Sequence, residues 1–110
     1  MTPLPLETIE QKIKNHVILL DTRPGNIFTE GFIPTSIFIG LEGRFAEWAG
    51  SLLPFDQEII LVSEPGKEEE TVVRLARVGF SKISGYVAGG FEAWRDAGAG
   101  VPGWETRILH

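Results

Sequence analysis

The chain has 110 residues, about one domain, with 43 % hydrophobic and 23 % charged residues; that is enough apolar matter for a core and speaks against global disorder. Its net charge of -5 disfavours a nucleic-acid or anionic-membrane partner, both of which want a basic face. The absence of cysteine excludes a disulfide framework, a thiolate metal site and a cysteine nucleophile.

The first predicted element is a short amphipathic helix over residues 6–14, with Leu6, Ile9 and Ile13 at helical spacing. Val17-Ile18-Leu19-Leu20 is a continuous apolar run that suits a strand buried on both faces. Pro24-Gly25-Asn26 breaks the chain, and residues 36–39 form a second short strand. Residues 41–53, with Phe45, Trp48, Leu52 and Leu53, read as a helix interrupted by Gly43 and Gly50 and stopped by Pro54. Residues 58–62 are another buried strand, rich in β-branched side chains. The clearest helix spans 67–78, with Val72, Leu75 and Ala76 as its apolar stripe, Glu70 and Arg74 as an i,i+4 pair, and Gly79 as its stop. A strand at 83–87, a turn at Gly89-Gly90 and a helix at 91–97 follow. Trp48 and Trp94 are expected in the core. Residues 99–110 read as a loose tail in which Trp104 either folds back or faces a neighbouring domain.

Short apolar strands alternating with helices imply an α/β fold, a parallel sheet covered on both faces, in one domain over 1–110 with its core at about 15–98. Neither a signal segment nor an apolar run near the roughly 20 residues of a membrane helix is present. That points to a cytoplasmic protein, or to a piece cut from a longer multidomain one.

Four segments, in order and spacing, resemble the rhodanese family: Leu20-Asp21-Thr22-Arg23, then residues 30–36, the strand-loop-helix at 59–77, and the run 85–94 with Gly89, Gly90 and Trp94. The resemblance implies a rhodanese-like five-stranded parallel sheet. It also makes Asp21, Arg23, Gly89, Gly90 and Trp94 the family's structural motif. The stretches 40–50 and 64–70 further resemble the cysteine-less rhodanese modules fused behind metallo-β-lactamase-fold persulfide enzymes. This implies a neighbouring domain or protein as partner.

The departures bear on function. Active members carry Cys-x-x-Gly-x-Arg-Ser in the loop after the fourth strand. Aligned on Gly66, this chain has Ser63, Glu64, Pro65, Gly66, Lys67, Glu68 and Glu69. Phe32 stands where a histidine is usual, Thr35 where a glycine is usual, and Ile27 where many members carry an acid. Sulfur transfer needs a thiolate that attacks and then holds the sulfane sulfur; a serine hydroxyl is scarcely ionised and forms no stable counterpart of a persulfide.

Electrostatics point the same way. Residues 63–70 hold four glutamates against one lysine, a field that opposes an anion at the helix start, although glutamates there also favour the helix dipole and cap free N–H groups. A serine hydrolase would need a histidine near Ser63. His16 precedes the strand at 17–20 whereas Ser63 follows the strand at 58–62, so a strand length of roughly 16 Å at about 3.3 Å per residue separates them, and His110 is terminal. No elbow motif, P-loop or metal cluster is present. Asp21 and Arg23, just past a strand end, are either ligand-facing or a local cap and ion pair. The expectation is a catalytically inactive domain without cofactor or metal, acting as a scaffold or interaction module. A small-anion or ligand site at 63–69 and, more remotely, a serine-dependent hydrolase are the alternatives.

Overall fold

The structure, a computed structural model, describes residues 2–98; the tail with Trp104 and His110 lies outside them. In chain order the elements are β1 (Pro3–Leu4), α1 (Leu6–Lys14), β2 (Ile18–Asp21), α2 (Gly25–Phe28), β3 (Ile37–Phe38), α3 (Phe45–Leu52), β4 (Ile59–Val62), α4 (Glu68–Arg77), β5 (Ile83–Val87) and α5 (Gly90–Gly98). The strands form one sheet in the order β1-β5-β4-β2-β3, and every neighbouring pair is parallel.

The apolar runs lack polar alternation because both sheet faces are covered. Side chains alternate between the faces: Leu19, Ile60 and Val62 pack with Ile9 of α1 and with Phe91 and Trp94 of α5. Leu20, Ile59 and Leu61 pack with Phe45 and Ala49 of α3 and Leu75 of α4. All four β4 residues are fully buried, and truncating one such side chain to alanine costs about 2–5 kcal/mol. The end of α4 follows from its sequence. Gly79 takes φ +100, its N–H reaches Ala76 O, and Phe80 N–H reaches Leu75 O. This double bond is the Schellman stop that a glycine after the last turn permits, and it drops Phe80 into the core.

Several expectations are corrected. Trp48 is 54 % exposed, not core, because Phe45, Ala49 and Leu53 take the inward stripe of α3 and leave Trp48 and Leu52 on its flank. That helix starts at Phe45, not at 41: Leu41 N–H is engaged by Thr22 O and Gly43 turns at φ +77. On α4, Ala76 is exposed and Thr71 is buried in its stead, its hydroxyl satisfied by Lys67 O at 2.8 Å. The fifth strand, β1, and the four-residue α2 went unforeseen as elements.

From β2 the chain moves outward to β3, and from β4 it moves the other way to β5. The switch in winding direction therefore lies between the C-terminal ends of β2 and β4, where a crevice opens in sheets of this kind.

Candidate functional site at the ends of β2 and β4

β2 ends on Asp21, which is fully buried beside the nearly buried Arg23. Arg23 donates to Asp21 from its backbone N–H (3.1 Å to Oδ1), from Nε (2.9 Å to Oδ1) and from Nη2 (2.7 Å to Oδ2). Nη2 also reaches Gly31 O at 2.8 Å, and the guanidinium lies 4.7 Å from the centre of the Phe91 ring. A buried charge needs such pairing to be tolerated. The pair thus ties the end of β2 to the 31 loop and to α5, and the geometry favours the local cap and ion pair over a ligand contact. Gly31 is required here, since an added Cβ would sit 2.7 Å from the Phe91 ring.

β4 delivers Ser63, 7 % exposed. Its hydroxyl donates to Glu64 O at 3.3 Å, a long local bond. The loop is closed upon itself: Lys67 N–H bonds Glu64 O, and Gly66, at φ +87, donates its N–H to Glu68 Oε1 at 3.0 Å. The Glu68 carboxylate therefore holds one of the N–H groups that an external anion would seek. The N-cap, Lys67, makes no side-chain cap bond. Glu69 is exposed, and Pro65 carries no N–H to offer. His16 sits before Ile18 while Ser63 follows Val62, and Ile18 pairs with Ile59 and Asp21 with Val62 in register. The histidine therefore lies at the opposite end of the sheet.

Gly89 and Gly90, at φ +77 and +66, make the tight entrance to α5. A Cβ on Gly89 would strike Ala93 Cβ at 2.7 Å, and Gly90 lies near Ser63 O. Trp94 is 1 % exposed, anchoring α5 to the sheet. Of the departures from the family pattern, Phe32 is half exposed and stacks on Phe28 at 4.5 Å, and Ile27 lies in α2. Thr35 adopts φ +75 in a turn closed by Ser36 N–H to Ile33 O. Proline at the second position and positive φ at the third is the pattern of a type II turn, which calls for glycine where Thr35 stands.

Beside these motifs lies a feature the sequence reading missed, a cleft of about 580 Å³ between the β2 end, the 38–44 segment, α3 and the start of α4. Its apolar wall includes Phe38, Trp48 and Leu52, all substantially exposed. Thr22 also lines it, with a buried hydroxyl that has no hydrogen-bond partner among the described residues. The available signal was Trp48 and Leu52 four residues apart behind a glycine-containing, non-helical stretch.

The Rhodanese-like domain family model matches residues 5–97. The Alr3790 protein from Anabaena sp. is similar in structure, with a TM-score of 0.74 at 20 % identity over 86 % of this chain and 77 % of that one. The BH2092 protein from Bacillus halodurans gives 0.72 at 22 % identity over 86 % and 72 %. Reduced Bacillus anthracis CoADR-RHD gives 0.68 at 23 % identity over 86 % of this chain and 16 % of that one. No curated protein matches the chain. The α/β architecture with its five-stranded parallel sheet is the one these neighbours share, and the chain belongs to the rhodanese-like domain family.

Proposed function

We propose that this domain performs no sulfur transfer and serves as a scaffold or contact module in a sulfur-handling protein. One observation carries the reading: at the position of the family's nucleophile stands Ser63, its hydroxyl turned to Glu64 O, in a loop whose Gly66 N–H is held by the chain's own Glu68 carboxylate. The hydroxyl is not acidic enough to act as a thiolate does. A base that could activate it is missing nearby, because the only histidine among the described residues, His16, lies at the other end of the sheet. The filled N–H group and the surrounding glutamates also speak against the small-anion reading. For the setting we propose a metallo-β-lactamase-fold domain or protein as partner, in the cytoplasm. The resemblance of stretches 40–50 and 64–70 supports this partner; the similar module within the much longer Bacillus anthracis chain supports only that such a domain can be part of a larger protein. Among the described residues no helix is long and apolar enough to cross a membrane.

The test is thiosulfate-to-cyanide transfer by the purified domain. Turnover should not rise above the no-enzyme rate, and a clear excess would overturn the proposal. Ser63→Cys should restore little activity while Glu68 remains; a brisk gain would show a loop otherwise ready for catalysis.

A further inference from the structure

We propose that the cleft beside α3 binds an uncharged aromatic small molecule that carries a hydroxyl, its ring against Phe38 and Trp48 and its hydroxyl on Thr22. The cleft holds about 580 Å³, within the range of about 300–1,000 Å³ usual for small-molecule sites. It opens at the ends of β2 and β4, where the winding of the sheet reverses. Its polar anchor is Thr22. Leu20, two residues earlier, packs with residues of α3 and α4, and Thr22 N–H continues the ladder to Val62 O. Side-chain alternation therefore turns Thr22 to that same side, where it lines the cleft. Thr22 is only 3 % exposed, and its hydroxyl has no hydrogen-bond partner among the described residues. A buried hydroxyl without a partner is costly. A χ1 turn that presents it to a ligand breaks no hydrogen bond among those residues, so the ligand supplies a bond that the chain does not make for itself.

The rest of the lining selects the ligand. The Phe38 ring is held in place. It lies 4.6 Å from the Phe28 ring and passes close over Gly25 and Gly40, where an added Cβ would come 3.5 and 3.3 Å from its Cζ. Phe38 and the half-exposed Trp48 thus offer the cleft aromatic surface on which a flat ring packs with favourable geometry. Charge, by contrast, favours neither sign. Arg44, Lys67 and Arg74 line the cleft together with Glu42, Glu64 and Glu70, and Glu70 lies 3.7 Å from both Lys67 and Arg74. An entering ion of either sign gives up its hydration and meets no surplus of opposite charge, whereas an uncharged ring gives up little. Ser63 is not part of the lining, so this site is separate from the 63–69 loop.

The experiment is an NMR titration of the full 110-residue chain at about 0.15 M salt, with p-cresol as the probe. Toluene, 4-methylbenzoate and 4-methylbenzylammonium serve as the analogues without a hydroxyl, with a negative charge and with a positive charge. The expected result is saturable p-cresol shifts centred on Thr22, Leu41 and the Trp48 indole, with each analogue about fivefold weaker or more, the worth of one net hydrogen bond in the case of toluene. Thr22→Val should weaken p-cresol about fivefold and leave toluene unchanged, and Thr22→Ser should restore p-cresol binding. Because valine keeps the shape and removes an unpaired hydroxyl, Thr22→Val should not lower the denaturation midpoint. Trp48→Ala should weaken p-cresol and toluene alike. The proposal is overturned by shifts centred elsewhere or by no saturable binding. It is equally overturned by an analogue that binds as tightly as p-cresol, or by a Thr22→Val loss shared by toluene. Loss of binding in Ser63→Ala would move the ligand to the 63–69 loop, and acetyl-Gly-Tyr-Gly-amide binding tenfold more tightly than p-cresol would make the occupant a peptide; either result overturns it. Failure of p-cresol to bind leaves the non-catalytic reading standing, which only thiosulfate turnover would sink.

Discussion

The ends of β2 and β4 lie side by side, Asp21 in register with Val62, yet they are built on opposite terms. At β2 a carboxylate and a guanidinium are both buried, neutralise each other and reach out to Gly31 and Phe91. At β4 the buried Ser63 hydroxyl is followed by a run of carboxylates in a loop open to water, with only local bonds. The difference separates what folding demands from what chemistry demands. A buried ion must stay paired or the fold suffers, so Asp21 and Arg23 are held by packing. The loop beyond Ser63 is bonded only within itself and has little grip on stability, so glutamates are accommodated there without harming the sheet.

The contrast can be broken most forcefully at Arg23. Arg23→Ala leaves Asp21 buried and unpaired and should cost about 3–5 kcal/mol in denaturant unfolding, while Glu68→Gln in the neighbouring loop should cost less than about 1 kcal/mol. Comparable losses at the two sites would erase the distinction. A second probe adjusts a departure from the family pattern outside both strand ends. Thr35→Gly relieves a β-branched residue at φ +75, and after the flexibility glycine adds to the unfolded chain a gain of about 1 kcal/mol is expected. A loss in thermal or chemical melts would mean that Thr35 is not strained.

The smallest effect is read through pH, at the end of the sheet opposite the loop. The Glu58 carboxyl is held below the usual range chiefly by its hydrogen bond to Lys12, then by the Ser84 hydroxyl, with burial pulling the other way; Lys12 Nζ lies 2.8 Å away. Since the folded value lies below the unfolded 4.5, the carboxylate's contribution is complete above that pH and fades as the pH falls through the folded value. The stability gap between the native chain and Glu58→Gln should therefore close on acidification, and a gap unchanged between about pH 3 and 7 would refute the linkage.

What the sequence disclosed follows physical lines. Continuous apolar runs announced β2 and β4, because strands covered on both faces need no polar alternation, and Gly79 announced the end of α4 because only a left-handed turn completes that stop. β1 was invisible, since a two-residue strand that begins with Pro3 and is followed by Pro5 carries no periodicity, and its pairing with β5 joins distant parts of the chain. The side of α3 occupied by Trp48 was misread because apolar spacing in a short helix admits more than one rotation; the choice falls to the partners of Phe45 and Ala49. At the candidate site the oxygen at position 63 and the surplus of glutamates were legible directly. The bond from Gly66 to Glu68 and the cleft were not, since both depend on how loops remote in sequence meet.

The prolines around β1 have a bearing on how the molecule meets its own kind. Tyr86 and Ala88 donate to the carbonyls of Thr2 and Leu4, so the intervening Pro3, and Pro5 after it, present their backbone nitrogens on the outer rim. A proline nitrogen bears no hydrogen, and that rim has no donor at either position for a foreign strand to grip. Lateral growth of the sheet into ribbons or aggregates is thereby blunted on the β1 side. It is left to the opposite border, where β3 is two residues long and Ile37 and Phe38 stand open to solvent.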